Sequence, residues 1–245
     1  MSSSDKKAAD RAATAAAMRA AQARRESQRR LLTIGGVALV MILIVGGAIV
    51  YSIVSNNKNN DKIGAAAGAT AAGTYGVVMG PDSATHKVII YEDFLCPFCG
   101  ELERGSEAQL ATLANEGKVQ VEYRPFNLLG RTTDSYSVEA AGAFSIVLKA
   151  AGSEVALKFH NLLYQNQPQE TGPFLSTTDL VKYAVEAGAK ESAVKSQIES
   201  NAGLPWVEAA SKAAAATGLN GTPTIIVDGS KIDGTSASAL LAAVS

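Results

Sequence analysis

The only two cysteines of the chain stand together as Cys96-Pro97-Phe98-Cys99, straight after the apolar run Val88-Ile89-Ile90-Tyr91. A disulfide stabilises a fold mainly by closing a long loop in the unfolded chain, and one across a two-residue gap closes almost none. The value of this pair is therefore chemical, and the pattern is that of a redox dithiol. A strand ahead of Cys96 and a proline behind it fit a thiol at the start of a helix, because proline is favoured at the first helical position. There the unpaired N–H groups and the helix dipole favour the thiolate, which is the reactive form.

Zinc is the first competing use of such a pair. A structural site takes four ligands and a catalytic one usually three, yet neither His86 nor His160 has ligand spacing to the cysteines, so no metal is expected. Two inert, buried cysteines acting as small hydrophobes are the plainer alternative. The two histidines neighbour no motif and read as ordinary surface or packing residues.

With 245 residues and 47% hydrophobic content the chain can hold one good-sized domain with accessories. A formal net charge of −1 gives no reason to expect nucleic acid as a partner, but it hides an asymmetry. Residues 1–30 carry eight Lys and Arg against three acids in an alanine-rich background. Then Leu31–Val54 runs for 24 residues without a charge. As a helix it would reach about 36 Å, enough to cross a hydrocarbon core of ~30 Å. We read it as a transmembrane anchor. The alternative is a secretory signal peptide, for which the small residues of Ala65–Ala72 offer a cleavage site, although the run is long for one. Retention of Lys and Arg on the inner side gives a cytoplasmic N-terminus and an extracytoplasmic remainder.

Residues 55–74 are rich in Asn, Ala and Gly and read as a flexible linker, so the folded domain is expected over 75–245. Within it the pattern predicts strands near Tyr75–Met79 and Lys87–Glu92, a helix from Pro97 to Asn115 stopped by Gly117, and a strand over Lys118–Tyr123. That βαβ order implies a parallel, right-handed crossover with the functional loop at the C-terminal end of the strand, where Cys96 lies. Several helices follow between Ser135 and Thr217, broken at Asn166-Gln167-Pro168 and Gly172-Pro173. Thr224–Val227, the Asp228-Gly229 turn and Ser230–Ile232 read as a hairpin, and Ser236–Val244 as a closing helix.

This order, with Tyr91-Glu92-Asp93-Phe94-Leu95-Cys96-Pro97, Asn166-Gln167-Pro168 and Gly218-Leu219-Asn220-Gly221-Thr222-Pro223-Thr224, resembles the DsbA-like thioredoxin-fold thiol-disulfide oxidoreductases. Within that family it looks most like the membrane-anchored Gram-positive, actinobacterial-type forms. The resemblance covers Tyr75 to Ser245. It implies an α/β thioredoxin fold with a helical insertion at about residues 130–217, here preceded by one N-terminal transmembrane helix. It further implies that Thr222-Pro223 is the family's cis-proline loop facing the dithiol, with the Thr222 backbone docking an extended substrate segment.

Cys96 is the expected nucleophile, the exposed thiol at the helix N-terminus, and Cys99 the one that resolves the mixed disulfide. Pro97 and Phe98, between the cysteines, tune the thiolate. Phe98 lacks the charge or hydrogen bond that a histidine gives strongly oxidising relatives, so the disulfide is expected to be less oxidising than in a Cys-Pro-His-Cys protein. Glu92 and Asp93 are read chiefly as solvated acids at a strand end, with a proton relay for Cys99 as the alternative role. Many relatives place their acid six residues before the first cysteine, where this chain has Ile90, so the relay does not carry over by position. Trp206 is expected to pack a helix start, and of Phe94, Phe98 and Phe126 at least two belong to the core, the remainder lining an apolar rim.

The resulting expectation is a membrane-tethered, extracytoplasmic oxidoreductase that donates disulfides to exported cysteine-containing proteins and is reset by a membrane redox partner. It needs no cofactor beyond the Cys96–Cys99 dithiol. A reductase or isomerase is the alternative within the class, and a non-enzymatic binding or chaperone-like module the alternative outside it.

Overall fold

The computed structural model describes residues 75–130 and 135–245. The expected basic segment (1–30), membrane helix (31–54) and linker (55–74) lie outside the described residues. The elements run β1 (Val77–Met79), β2 (His86–Glu92), α1 (Pro97–Asn115), β3 (Val119–Pro125), α2 (Tyr136–Gln165), α3 (Thr177–Ala187), α4 (Glu191–Glu199), α5 (Leu204–Ala216), β4 (Thr224–Val227), β5 (Ser230–Lys231) and α6 (Ala237–Ala243).

One mixed sheet, in the order β1-β3-β2-β4-β5, organises them. β2 and β3 are parallel and joined by α1, as the βαβ reading expects, while β1 joins β3, and β4 joins β2, antiparallel. On one face Val88, Ile90, Val119, Val121 and Tyr123 are buried with Leu102 and Leu110 of α1 and Phe144, Phe159 and Leu163 of α2. On the other, Tyr91 and Ile226 meet Phe126 and the small residues Ala210 and Ala214 of α5. The alternation of Val119, Val121 and Tyr123 with half-buried Gln120 and Glu122 therefore marks β3's core face correctly.

The expected helical insertion is present as α2 to α5. α2 is apolar and long enough to cross a membrane, but Phe144, Val147, Phe159 and Leu163 are fully buried, which makes it a core helix. Its path bends where Gly152 takes φ 83°, ψ 176°. It stops at Asn166, as expected, and α3 opens with a capping box between Ser176 and Asp179. The break after α3, at Gly188 with φ 115°, was not expected from the sequence. α2 and α5 meet backbone to backbone, since a Cβ on Gly203 would lie 2.3 Å from the Gly142 carbonyl oxygen. Trp206, at the start of α5, wedges between Phe144 (6.0 Å) and Tyr75 (5.8 Å), the packing role expected for it.

Candidate active site

The β2-to-α1 junction carries the dithiol. Cys96 is the residue capping α1, with φ −69° and ψ 117°, and Pro97 occupies the first turn without needing an N–H partner. Both cysteines are free thiols. Cys99 is fully buried and Cys96 is only 4% exposed, so the expectation of an exposed nucleophile is corrected. The cover comes from across the fold. The Thr222–Pro223 bond, ahead of β4, is cis, and the Cys96 thiol donates to the Thr222 carbonyl at 3.3 Å. Pro97 is exposed, and Phe98, 60% exposed, offers an apolar ring beside this junction, while Phe94 and Phe126 are in the core.

The two sulfurs differ electrostatically. A hydrogen bond from Cys99 lowers the Cys96 pKa to about 6 against the opposing effect of burial, helped by Thr222 and by the backbone N–H groups of Cys99 and Phe98 at the helix start. Burial pushes the Cys99 thiol well above its ordinary range, and the neighbouring Cys96 and the Glu92 carboxylate reinforce the shift. The reduced pair is thus one thiolate and one thiol that bonds to it.

Two side chains fix the loop that holds Cys96. Gln167, just beyond α2, donates from Nε2 to the carbonyls of Cys96 (2.8 Å) and Phe94 (3.0 Å). Asp93 is fully buried, correcting the expectation of a solvated acid. Its Oδ1 accepts from Leu95 N–H (2.9 Å) and the Ser137 hydroxyl (2.7 Å), and its Oδ2 from Leu128 N–H (2.8 Å) and Leu129 N–H (2.9 Å). With four donors on it, this carboxylate is a structural anchor between the β2–α1 loop, the segment after β3 and the start of α2.

Glu92 is also fully buried rather than solvated, and it meets a residue that sequence reasoning set aside. His160 Nε2 lies 2.6 Å from Glu92 Oε1, so this histidine does neighbour the motif, in space though not in sequence. Glu103, 3% exposed, completes the cluster, and one ligand-type atom from each of the three lies within 4.8 Å of the others. Burial opposes a charge on His160, but Glu92 outweighs it and raises the imidazole to about 9. Burial and the Glu92 carboxylate together raise Glu103 to about 8. By type and spacing the trio resembles a metal site, yet His160 Nε2 and Glu92 Oε1 are already spent on each other. Glu103 was missed in the sequence although it follows Cys99 by four residues, the spacing that sets two side chains on one helix face. His86, by contrast, forms a surface pair with Asp228 at 2.8 Å, as an ordinary histidine would.

Disulfide exchange requires one sulfur poised to attack and a second held protonated until its turn, and here both hang from the start of a thioredoxin-fold helix opposite a cis X–Pro bond. That arrangement defines the class, a DsbA-like thiol-disulfide oxidoreductase. The chain belongs to the thioredoxin family, which matches residues 72–244. Among solved structures it is similar to the reduced disulfide bond oxidoreductase DsbG of Mycobacterium tuberculosis, at 29% identity and TM-score 0.62, over 73% of this chain and 89% of that one. It is similar also to oxidised DsbA of the same organism, at 30% identity and TM-score 0.59, over 69% and 90%. A curated relative, the serine/threonine-protein kinase PknE of Mycobacterium tuberculosis, is 28% identical over 166 residues, 64% of this chain; the match spans only 29% of that relative's length.

Proposed function

We propose that this oxidoreductase donates disulfides to exported cysteine-containing proteins from a domain held outside the cytoplasm by the uncharged 31–54 segment. What supports the direction is the placement of Cys96 at the start of α1, where Cys99 and the first-turn N–H groups stabilise its thiolate and lower its pKa to about 6. A stabilised thiolate favours the reduced form of the enzyme, which makes its disulfide the better oxidant. In the forward reaction a client thiolate attacks Cys96 Sγ, the Cys96–Cys99 bond breaks, and a mixed disulfide forms while Cys99 leaves. A second client thiol then displaces Cys96 as thiolate. Thr222, whose carbonyl accepts from the Cys96 thiol, and Pro223 would align the client's extended segment beside the sulfur. Glu92 would serve proton transfer at Cys99, whereas Asp93 would hold the loop. A membrane redox partner would restore the disulfide, and no cofactor beyond the dithiol is invoked.

Phe98 favours a second reading, reductase or isomerase, because an exposed phenyl ring adds no charge or hydrogen bond to the thiolate. The reduction potential of the full chain, equilibrated with glutathione, separates the two. A value near about −120 mV supports the donor, and one near about −270 mV overturns it in favour of the reductase.

A further inference from the structure

Asn166-Gln167-Pro168 supplies no sulfur and no charge to disulfide exchange, yet its middle side chain ends on the first turn of α1. Its backbone is set from both sides. Asn166 caps α2 and donates from Nδ2 to the Leu162 carbonyl at 2.9 Å, while Pro168 disfavours a helical conformation at Gln167. The side chain reaches α1 because that helix leaves a gap for it. A Cβ on Gly100 would collide with Gln167 Oε1 and lie 2.7 Å from Arg104 Nη1, so glycine is what admits the amide. Arg104, one turn further along α1, donates from Nη1 to the Tyr164 carbonyl at 2.9 Å and comes within 3.5 Å of Gln167 Oε1. The amide is thus steered at its oxygen by a cation on α1 while its N–H groups meet the Cys96 and Phe94 carbonyls.

The Cys96 carbonyl is the handle by which this turn can be held. Pro97 offers no N–H, so that carbonyl is the sole hydrogen-bonding group of the Cys96–Pro97 peptide. One lone pair accepts the Gly100 N–H at 3.2 Å, the first bond of α1, and the other accepts Gln167 at 2.8 Å. No side-chain oxygen caps α1, and the Cys96 sulfur itself faces the N–H groups of Phe98 and Cys99.

We propose that Gln167 is a positioning residue for disulfide exchange: through the Cys96 carbonyl it fixes the Cys96 sulfur over the first-turn N–H groups, the place from which that sulfur departs as thiolate. The inference rests on exchange at Cys96 and Cys99. In the release step a second client thiolate attacks the client sulfur of the mixed disulfide. The new client S–S bond forms, the bond to Cys96 breaks and its electron pair goes to Cys96 Sγ. The clamp favours that ion in two ways. It stops the Cys96–Pro97 peptide from rotating, which would carry the sulfur off the N–H groups, and its donor offsets the partial negative charge of a carbonyl beside the sulfur. Gly100 and Arg104 serve it in turn, one by leaving room and the other by steering the amide.

The test is ultraviolet titration of the Cys96 thiolate in the reduced full chain, with glutathione equilibration and urea denaturation alongside. Gln167→Ala should raise the Cys96 midpoint from about 6 by about half a unit or more. It should move the glutathione equilibrium roughly threefold toward the oxidised enzyme, the same half unit read as an equilibrium constant. Gly100→Ala keeps the glutamine but displaces it. The added methyl meets the far ends of two flexible side chains, and alanine favours a helix, so this variant should unfold at no lower urea concentration than the wild type. It should nevertheless shift the titration and the equilibrium in the same direction, which a merely structural glutamine would not produce. In the double variant the shifts should not add, because both substitutions act on one contact. An unchanged midpoint in Gln167→Ala overturns the proposal, and so do a shift that Gly100→Ala fails to share and shifts that add in the double variant. A wild-type chain that exchanges with glutathione at no pH would remove the oxidoreductase reading itself, and the titrations alone would then decide whether Gln167 places the sulfur.

Discussion

Gln167 Nε2 donates to the Cys96 carbonyl at 2.8 Å, so the residue just past α2 holds the first turn that presents the Cys96 sulfur. Its second bond, to Phe94, anchors the loop on the other side of Leu95. Gln167→Ala removes both donors from part-buried carbonyls and is expected to lower stability by about 1–3 kcal/mol. Urea denaturation measures that loss. A variant as stable as the wild type would show that the clamp contributes nothing.

With its pKa near 6, Cys96 should be alkylated by iodoacetamide along a titration curve of midpoint about 6, with the rate at pH 5 near a tenth of its plateau. Cys99, pushed upward by burial and by its neighbours, should stay unreacted over that range. Peptide mapping of the alkylated cysteine distinguishes them, and a midpoint near 9 would remove the basis for a stabilised thiolate.

Asp93→Ala leaves three backbone N–H groups and the Ser137 hydroxyl without their acceptor at the meeting point of three segments. The expected cost is about 3 kcal/mol or more, larger than for any exposed acid. Glu154, fully exposed at an i,i+4 surface pair with Lys158, is the comparison; Glu154→Ala should change the unfolding midpoint hardly at all.

Glu103 and His160 both have folded-state pKa values above their ordinary ones, so the folded protein binds more protons than the unfolded chain between about pH 4.5 and 9. Stability linked to them is complete at the acid end of that window. It is lost as pH rises through about 8 and then 9. The urea midpoint should accordingly fall from pH 6 to pH 9, and Glu103→Gln should flatten that slope. A midpoint that rises over the same interval would contradict the shifts.

Replacing Phe98 by histidine puts a titratable donor beside the Cys96 sulfur. The side chain is 60% exposed and solvent will screen its charge, so the expected change is modest: a further drop in the Cys96 pKa and a potential higher by a few tens of millivolts. Glutathione equilibration reads it, and an unchanged potential would mean that Phe98 does not tune the thiolate.

Local signals made much of this fold legible in the chain. The period-2 pattern of Val119, Val121 and Tyr123, the stop after Asn115 and the Asp228-Gly229 turn each follow from nearest-neighbour chemistry. The dithiol was legible for the same reason, since Pro97 and the apolar run before Cys96 are adjacent in sequence. What failed was the burial and pairing of single side chains by partners far along the chain. Glu92 and His160 are 68 residues apart, and nothing near either one announces the other. The resemblance did place Thr222, 126 residues on, opposite the dithiol, but it did not show that Cys96 would be covered there. Asp93 ends a strand, which ordinarily means water, but Ser137 and the segment after β3 fold over it.

The sheet ends in very short strands, three residues in β1 and two in β5. An enzyme that handles unfolded clients runs the hazard of being zipped by them into mixed aggregates, strand upon strand. Rims this brief expose few free ladder groups, so a client gains little grip along the flanks. For the proposed disulfide donor, short rims would keep contact with unfolded clients from turning into co-assembly.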